Sequence, residues 1–135
     1  IGPIPTFYKR LRAKQDCYCA DSKRDFLDID DFLDLIDIIL EDDETTGIFN
    51  VSSGKGTKIK DIFNYIASYL NIADTDIEVV PVADDDISYV VLDPSKTKSV
   101  FGWQANVSVE EMIKKQLQWY EVNGIDTIYS HLKPK

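Results

Sequence analysis

A strand–helix–strand pattern over residues 48–82 most constrains what this chain can fold into. Residues 48–51 are a compact apolar run typical of a strand, and residues 77–82 are a second run rich in β-branched side chains. A helix is predicted between them over residues 59–70, and its apolar face consists of Ile59, Ile62, Phe63, Ile66 and Leu70. Two strands joined by such a helix form a crossover unit, which favours parallel strands and a right-handed connection. The pattern therefore predicts an α/β fold.

The glycine-containing segment SSGKGTK follows the first of these predicted strands. It resembles a turn that cradles phosphate, but it has neither the full P-loop spacing nor the three-glycine dinucleotide fingerprint. We interpret it as a loop that enters a helix.

The stretch RDFLDIDDFLDLIDIIL, residues 24–40, predicts an extended segment followed by a helix over residues 30–41. Either Asp30 or Asp31 is expected to cap this helix. Its predicted inward face consists of Leu33, Ile36 and Leu40, widened by Phe32 and Ile39. Packing explains Arg24 less well, because a guanidinium fixed at a strand end suits a phosphate or a carboxylate. An ordinary surface or ion-paired arginine is the alternative.

The remaining elements are read from caps and periodicity. Helices are predicted over residues 6–14, from the Asp93-Pro94 start to Gly102, and from the Ser108–Glu111 capping box to Gly124, with a last helical turn or two over residues 125–132. Residues 16–20 and 88–92 are expected to be extended. Together these elements predict a small domain with a short parallel β-α-β unit, a short strand pair and flanking helices.

Composition indicates one soluble globular domain over residues 1–135, with 44% hydrophobic and 29% charged residues. The net charge of −9 argues against nucleic-acid binding, and the apolar runs are too short to span a membrane. Cys17 and Cys19 are interpreted as reduced thiols of a cytoplasmic protein. No metal site is predicted, since His131 stands alone and the run Asp84 to Asp86 is expected to be a solvated turn. Because the first residue is Ile1 rather than methionine, we expect a fragment, a processed product or the ordered part of a longer protein.

Four motifs in order resemble a known family: GPIPTF, RDFLDIDDF, GIFNVSSG, and DISYVVLDPSKTKSVFGW followed by an amphipathic helix ending in WY. They resemble the C-terminal, substrate-binding half of an extended short-chain dehydrogenase/reductase acting on nucleotide sugars. That group includes the NAD-dependent epimerases and 4,6-dehydratases, which are isomerases and lyases of carbohydrate biosynthesis. The resemblance covers essentially the whole chain.

The resemblance also implies which functional parts of the enzyme lie outside this chain. In the family, the glycine-rich NAD turn and the catalytic Y-x-x-x-K pair lie in an N-terminal Rossmann half, where the sugar transiently gives a hydride to NAD. We expect this chain to lack both, and therefore to bind no cofactor and turn over no sugar alone. The expected partners are a nucleotide sugar and the Rossmann half, with NAD in the full-length parent; dimers are usual among relatives.

Seven site residues follow from the resemblance. Arg24 matches the arginine that reaches the diphosphate, and Asp86 matches a position that contacts the ribose. Ala83 stands where relatives often have a second arginine. Four alternatives follow: a weaker hold on the diphosphate, a different alignment of this loop, compensation by Lys23 or Lys55, or a changed ligand. The others match residues near the base, the phosphates or the ligand: Gly2, Pro3, Cys17, Tyr18 and Asn50.

Besides the substrate-binding half of an epimerase or dehydratase, two other hypotheses remain open. One is a free-standing, non-catalytic binding module that kept the lid fold. Such a module would expose the apolar surface that faces its partner, and it would self-associate. The other is part of a reductase or decarboxylase of the same superfamily.

Overall fold

The computed structural model describes residues 2–72 and 76–125, which form five helices and five short strands. In chain order these are α1 (Pro3–Arg12), β1 (Tyr18–Ala20), β2 (Lys23–Asp25), α2 (Ile29–Leu40), β3 (Gly56–Lys58), α3 (Ile59–Tyr69), β4 (Glu78–Val80), β5 (Tyr89–Val90), α4 (Ser95–Phe101) and α5 (Val109–Asn123).

The hydrophobic core is built around α3, which packs against α1 and α5. Ile62, Phe63 and Ile66 are fully buried there, which confirms the predicted inward face of this helix. The ring of Phe63 meets Phe7 of α1 edge to face at 5.6 Å, and Tyr8 of α1 lies 5.4 Å from Tyr120 of α5. Three helices therefore hold most of the buried apolar surface.

Two small sheets lie beside these helices. In one, β1 pairs in parallel with β4, so the α/β prediction with a short parallel unit is confirmed. In the other, β2 lies in the middle, antiparallel to β3 and parallel to β5. Arg24 is the central residue of β2, opposite Thr57 on one side and Val90 on the other.

The predicted strand over residues 48–51 is wrong, so the parallel unit connects β1 with β4 rather than residues 48–51 with β4. A strand needs a neighbour for its backbone hydrogen bonds. Here the carbonyls of Ile48 and Asn50 instead accept hydrogen bonds from Lys96 and Thr97 of α4, and Ile48 is 89% exposed.

The helix predicted over residues 30–41 is confirmed as α2, Ile29–Leu40, but its cap and inward face were wrongly predicted. Asp28 is the N-cap, and its carboxylate accepts from the N–H of Asp30 at 2.9 Å. Asp31 and Leu35 are the buried residues of this helix, since this face meets α4 and the loop before α5. The residues predicted to face inward are exposed or half-buried instead: Phe32, Leu33, Ile36, Ile39 and Leu40.

The helix predicted over residues 6–14 begins earlier, at Pro3. Proline is favoured at the first position of a helix, because the N–H that it lacks would have no partner within the helix there. The cap predicted at Ser108 is confirmed, since its Oγ accepts from the N–H of Glu111. The start predicted at Asp93-Pro94 is displaced by one residue: Pro94 is the N-cap of α4, and Asp93 Oδ1 accepts from the N–H of Ser95 just ahead of the helix. Of the helical turn predicted over residues 125–132, all but Ile125 lies outside the described residues. Within the described ranges, no helix has the length and apolar composition needed to cross a membrane.

Candidate functional site

Arg24 and Asp86, two residues singled out from distant motifs, are in direct contact. Arg24 Nη2 lies 3.0 Å from Asp86 Oδ1, and Arg24 Nη1 donates to the Lys23 carbonyl at 3.0 Å. The arginine side chain is 28% exposed and the aspartate side chain 51%, so the pair is reached from solvent. A guanidinium held in this way still carries further N–H donors for an anion.

Asp86 ends the turn that follows β4. Its N–H donates to the Ala83 carbonyl at 3.0 Å, and its Oδ1 accepts from the N–H of Ile87 at 2.8 Å. Asp84 and Asp85 lie exposed in the same turn. The turn therefore fixes one carboxylate on Arg24 and holds two more nearby.

Ala83 supplies no second cation, and Lys23 does not replace it. Lys23 immediately precedes Arg24 in β2, and successive side chains of a strand leave opposite faces. It shares its face with Lys58, directly opposite in β3. Lys55 lies in the exposed loop before β3.

Asp25 is a residue that sequence reasoning missed. Its carboxylate accepts from the N–H and the hydroxyl of Ser53 at 2.8 and 2.6 Å and from the N–H of Gly54 at 2.9 Å. The donors of the SSGKGTK segment are thus engaged by the chain itself, which fits a loop that enters a helix.

A groove of about 830 Å³ runs between α1, α5 and the segment that leads into α2. Gly2 and Pro3 line it at the start of α1, together with Phe26 and the half-exposed ring of Trp119. Neither Arg24 nor Asp86 lines this groove.

The lining of the groove includes a cluster of charged residues that sequence reasoning missed. Lys115 of α5 donates to the buried carboxylate of Asp28 at 2.8 Å and also to Asp30. These two hydrogen bonds, to Asp28 first, raise the pKa of Lys115 above its ordinary value. Lys115 lies 87 and 85 positions from these two aspartates in the sequence, so the contacts tie the start of α2 to α5.

The other candidate residues lie apart from the Arg24–Asp86 pair. Cys17 lines a smaller cavity of about 320 Å³, and burial raises the pKa of its thiol. Tyr18 starts β1, exposed and opposite Glu78. The side-chain amide of Asn50 donates to the Asp93 carbonyl at 3.1 Å, next to α4. Both cysteines are free thiols.

The described residues contain no cluster of three or more side chains of His, Cys, Asp or Glu arranged to hold a metal ion. The prediction that this chain lacks the Y-x-x-x-K spacing is wrong. Tyr129 is followed four residues later by Lys133, so the spacing occurs once. Both residues lie near the C-terminus and outside the described ranges, whereas the resemblance implies a catalytic pair in an N-terminal half.

Comparison with known proteins finds three relatives that are each similar to most of this chain. The Bordetella bronchiseptica enzyme WbmG, solved with NAD and also with NAD and UDP, is 49% identical; the similarity covers 98% of this chain and 42% of WbmG, with a TM-score of 0.87. The CDP-abequose synthase of Salmonella muenchen is 29% identical over 87% of this chain and 42% of its own length. The dTDP-L-rhamnose 4-epimerase of Burkholderia thailandensis is 27% identical over 71% of this chain and 26% of its own length.

This chain spans less than half the length of each of these relatives. The model of the GDP-mannose 4,6 dehydratase family matches residues 4–116, which is most of the sequence. The fold, the order of the motifs and the relatives agree with one another. The chain therefore belongs to the GDP-mannose 4,6 dehydratase family, among the NAD-dependent epimerases and dehydratases of the extended short-chain dehydrogenase/reductase group.

Proposed function

We propose that this chain is the part of an NAD-dependent nucleotide-sugar epimerase or dehydratase that binds the nucleoside diphosphate. Arg24 donates to the diphosphate and Asp86 accepts from the ribose hydroxyls. Hydride transfer between the sugar and NAD belongs to a Rossmann half on other polypeptide of the same cytoplasmic protein. This chain contributes binding and orientation of the substrate.

The contact between Arg24 and Asp86 carries this proposal. Two motifs 62 residues apart, each matched to the same ligand by the resemblance, meet at 3.0 Å on one side of the β3-β2-β5 sheet. A diphosphate adjoins its ribose, so the groups that bind them must be neighbours. A planar guanidinium with spare donors suits phosphate oxygens, and a carboxylate suits a diol.

The relatives support the ligand class. WbmG was solved with UDP as well as NAD, and two curated relatives carry the names of CDP- and dTDP-linked activities. The nucleoside differs among these names while the diphosphate is common to them. A binding element centred on the diphosphate is therefore what these proteins would share.

Exposed apolar side chains support a partner half. On α2, Leu33 and Leu40 are 50% and 74% exposed, and the groove beside Pro3 is lined mostly by apolar surface. Surfaces of this kind mark interaction sites. The greater length of the relatives supplies polypeptide to cover them, which favours this proposal over a free-standing module.

The first prediction concerns Arg24→Ala in the protein expressed from its complete coding sequence. We expect the affinity for UDP, measured calorimetrically, to fall at least about ten-fold, because hydrogen bonds to charged groups are worth about 1.5–3 kcal/mol. The free energy of unfolding should change by less than about 1 kcal/mol, since exposed ion pairs contribute little. Lys58→Ala is the control, because it removes the same charge from the neighbouring strand on the other face of the sheet. Equal affinities for UDP in wild type and Arg24→Ala would refute the role of Arg24.

A further inference from the structure

The guanidinium of Arg24 already has an anionic partner within its own chain. Arg24 Nη2 and Asp86 Oδ1 are 3.0 Å apart, and Asp86 is held in place by the N–H of Ile87 and by its own N–H bond to Ala83. A phosphate oxygen that approached the same N–H would meet this carboxylate at close range. Like charges at such distances repel each other.

Charge in the surrounding turn strengthens the competition. Asp84 and Asp85 accompany Asp86, and residues 83–86 include no cation to offset them. Arg24 Nη1 is also engaged, by the Lys23 carbonyl. A diphosphate can use the spare N–H donors of Arg24 while the pair is intact, but it reaches the N–H held by Asp86 only if Asp86 releases it.

We propose that Asp86 is a competing ligand of Arg24 and, for that reason, a specificity-determining residue. This inference rests on the proposed function. An anion that offers Asp86 no new hydrogen bond, such as inorganic pyrophosphate, either binds beside the carboxylate and is repelled by it or breaks the ion pair without compensation. A nucleoside diphosphate brings a ribose diol whose hydroxyls give the released carboxylate new hydrogen bonds. This exchange, in which Asp86 gives up Arg24 and accepts from the ribose hydroxyls, thereby favours nucleotides over free pyrophosphate.

The test compares UDP with inorganic pyrophosphate, both titrated calorimetrically in metal-free buffer into the complete protein. In Asp86→Ala we expect pyrophosphate to bind about three- to five-fold more tightly, since an exposed ion pair is worth up to about 1 kcal/mol. UDP should bind about ten-fold more weakly because hydrogen bonds to a charged acceptor are lost. The preference for UDP over pyrophosphate should thus fall by about thirty- to fifty-fold.

Asp84→Ala is the matched control. It removes the same charge from the same turn, at a residue that does not contact Arg24. It should therefore raise the affinities for both ligands equally and by less than about two-fold. Asp86→Asn is a second variant of nearly the same size, and it should shift the pyrophosphate affinity in the same direction as alanine.

The outcomes separate the two proposals. If Arg24→Ala weakens UDP but Asp86→Ala leaves pyrophosphate unchanged or weaker, the exchange is wrong and the proposed function stands. If Asp84→Ala matches Asp86→Ala for both ligands, the effect is general charge and the exchange is again wrong. If wild type and Arg24→Ala bind UDP equally, or if wild type binds neither ligand, both proposals are wrong.

Discussion

Helices α2 and α3 have similar length and strong apolar character, yet only α3 is buried. Three of its apolar side chains, Ile62, Phe63 and Ile66, are completely inaccessible to solvent. On α2 only Leu35 is, and Leu40 is 74% exposed. An amphipathic pattern therefore identifies an apolar surface without saying which part of the protein covers it.

The difference follows from what lies next to each helix. Helix α3 packs against both α1 and α5, and the ring of Phe63 meets that of Phe7 in α1. Helix α2 turns a polar residue inward: the buried carboxylate of Asp31 accepts from the N–H groups of Asn106 and Val107, and its carbonyl accepts from Trp103 Nε1 at 2.8 Å. Hydrogen bonds therefore hold α2 on one side, while its apolar side faces away from the core.

The largest expected effect is the loss of stability on truncation of α3. Ile66→Ala should lower the free energy of unfolding by about 2–5 kcal/mol, because it removes buried methyl groups and leaves a cavity. Ile39→Ala on α2 makes the same chemical change at a residue that is 39% exposed, and it should cost less than about 1 kcal/mol. Urea denaturation of the 135-residue chain measures both. Equal losses would mean that α2 is packed in solution as tightly as α3.

A smaller effect is expected from the polar attachment of α2. Asp31→Ala leaves buried N–H groups of the loop without an acceptor, which should cost about 2–3 kcal/mol. Asp34→Ala, one turn along the same helix and exposed, should change the free energy of unfolding by less than about 0.5 kcal/mol. Similar values for the two variants in urea denaturation would show that Asp31 does not anchor this helix.

The sequence predicted elements whose signals are local. The apolar face of α3, the Ser108 cap and the end of α4 at Gly102, where φ is +64°, all follow from residues within a turn or two. The inward face of α2 depended instead on a contact between Asp31 and residues about 75 positions away. Residues 48–51 have the composition of a strand, but pairing requires a neighbour that composition does not supply.

The candidate site divides in the same way. The resemblance singled out Arg24 and Asp86 one at a time, but only the fold brings the guanidinium and the carboxylate together. Asp25 and the Lys115–Asp28 pair were missed because each joins segments distant in sequence. Long-range polar contacts have no periodic signature, so a single sequence does not reveal them.

The smallest effect on stability, and the sharpest test of the comparison, is a substitution on the exposed side of α2. Leu40→Gln should change the free energy of unfolding by less than about 0.5 kcal/mol, since Leu40 is 74% exposed. It should weaken self-association of the isolated 135-residue chain about ten-fold, because a leucine buried between copies is worth about 1.5–3 kcal/mol. Sedimentation velocity over a range of concentrations measures this.

Val122→Gln on α5 is the control for that last substitution. It replaces another strongly exposed apolar residue, but one that lies outside α2. If the apolar side of α2 is what a partner covers, only Leu40→Gln should raise the dissociation constant of the self-associated chain. Two results would contradict this: a chain that stays monomeric at all concentrations, or one whose dissociation constant changes equally in both variants. Either would show that the exposed leucines of α2 do not form a contact surface. The exposed side chains of this helix would then be no evidence for a partner half.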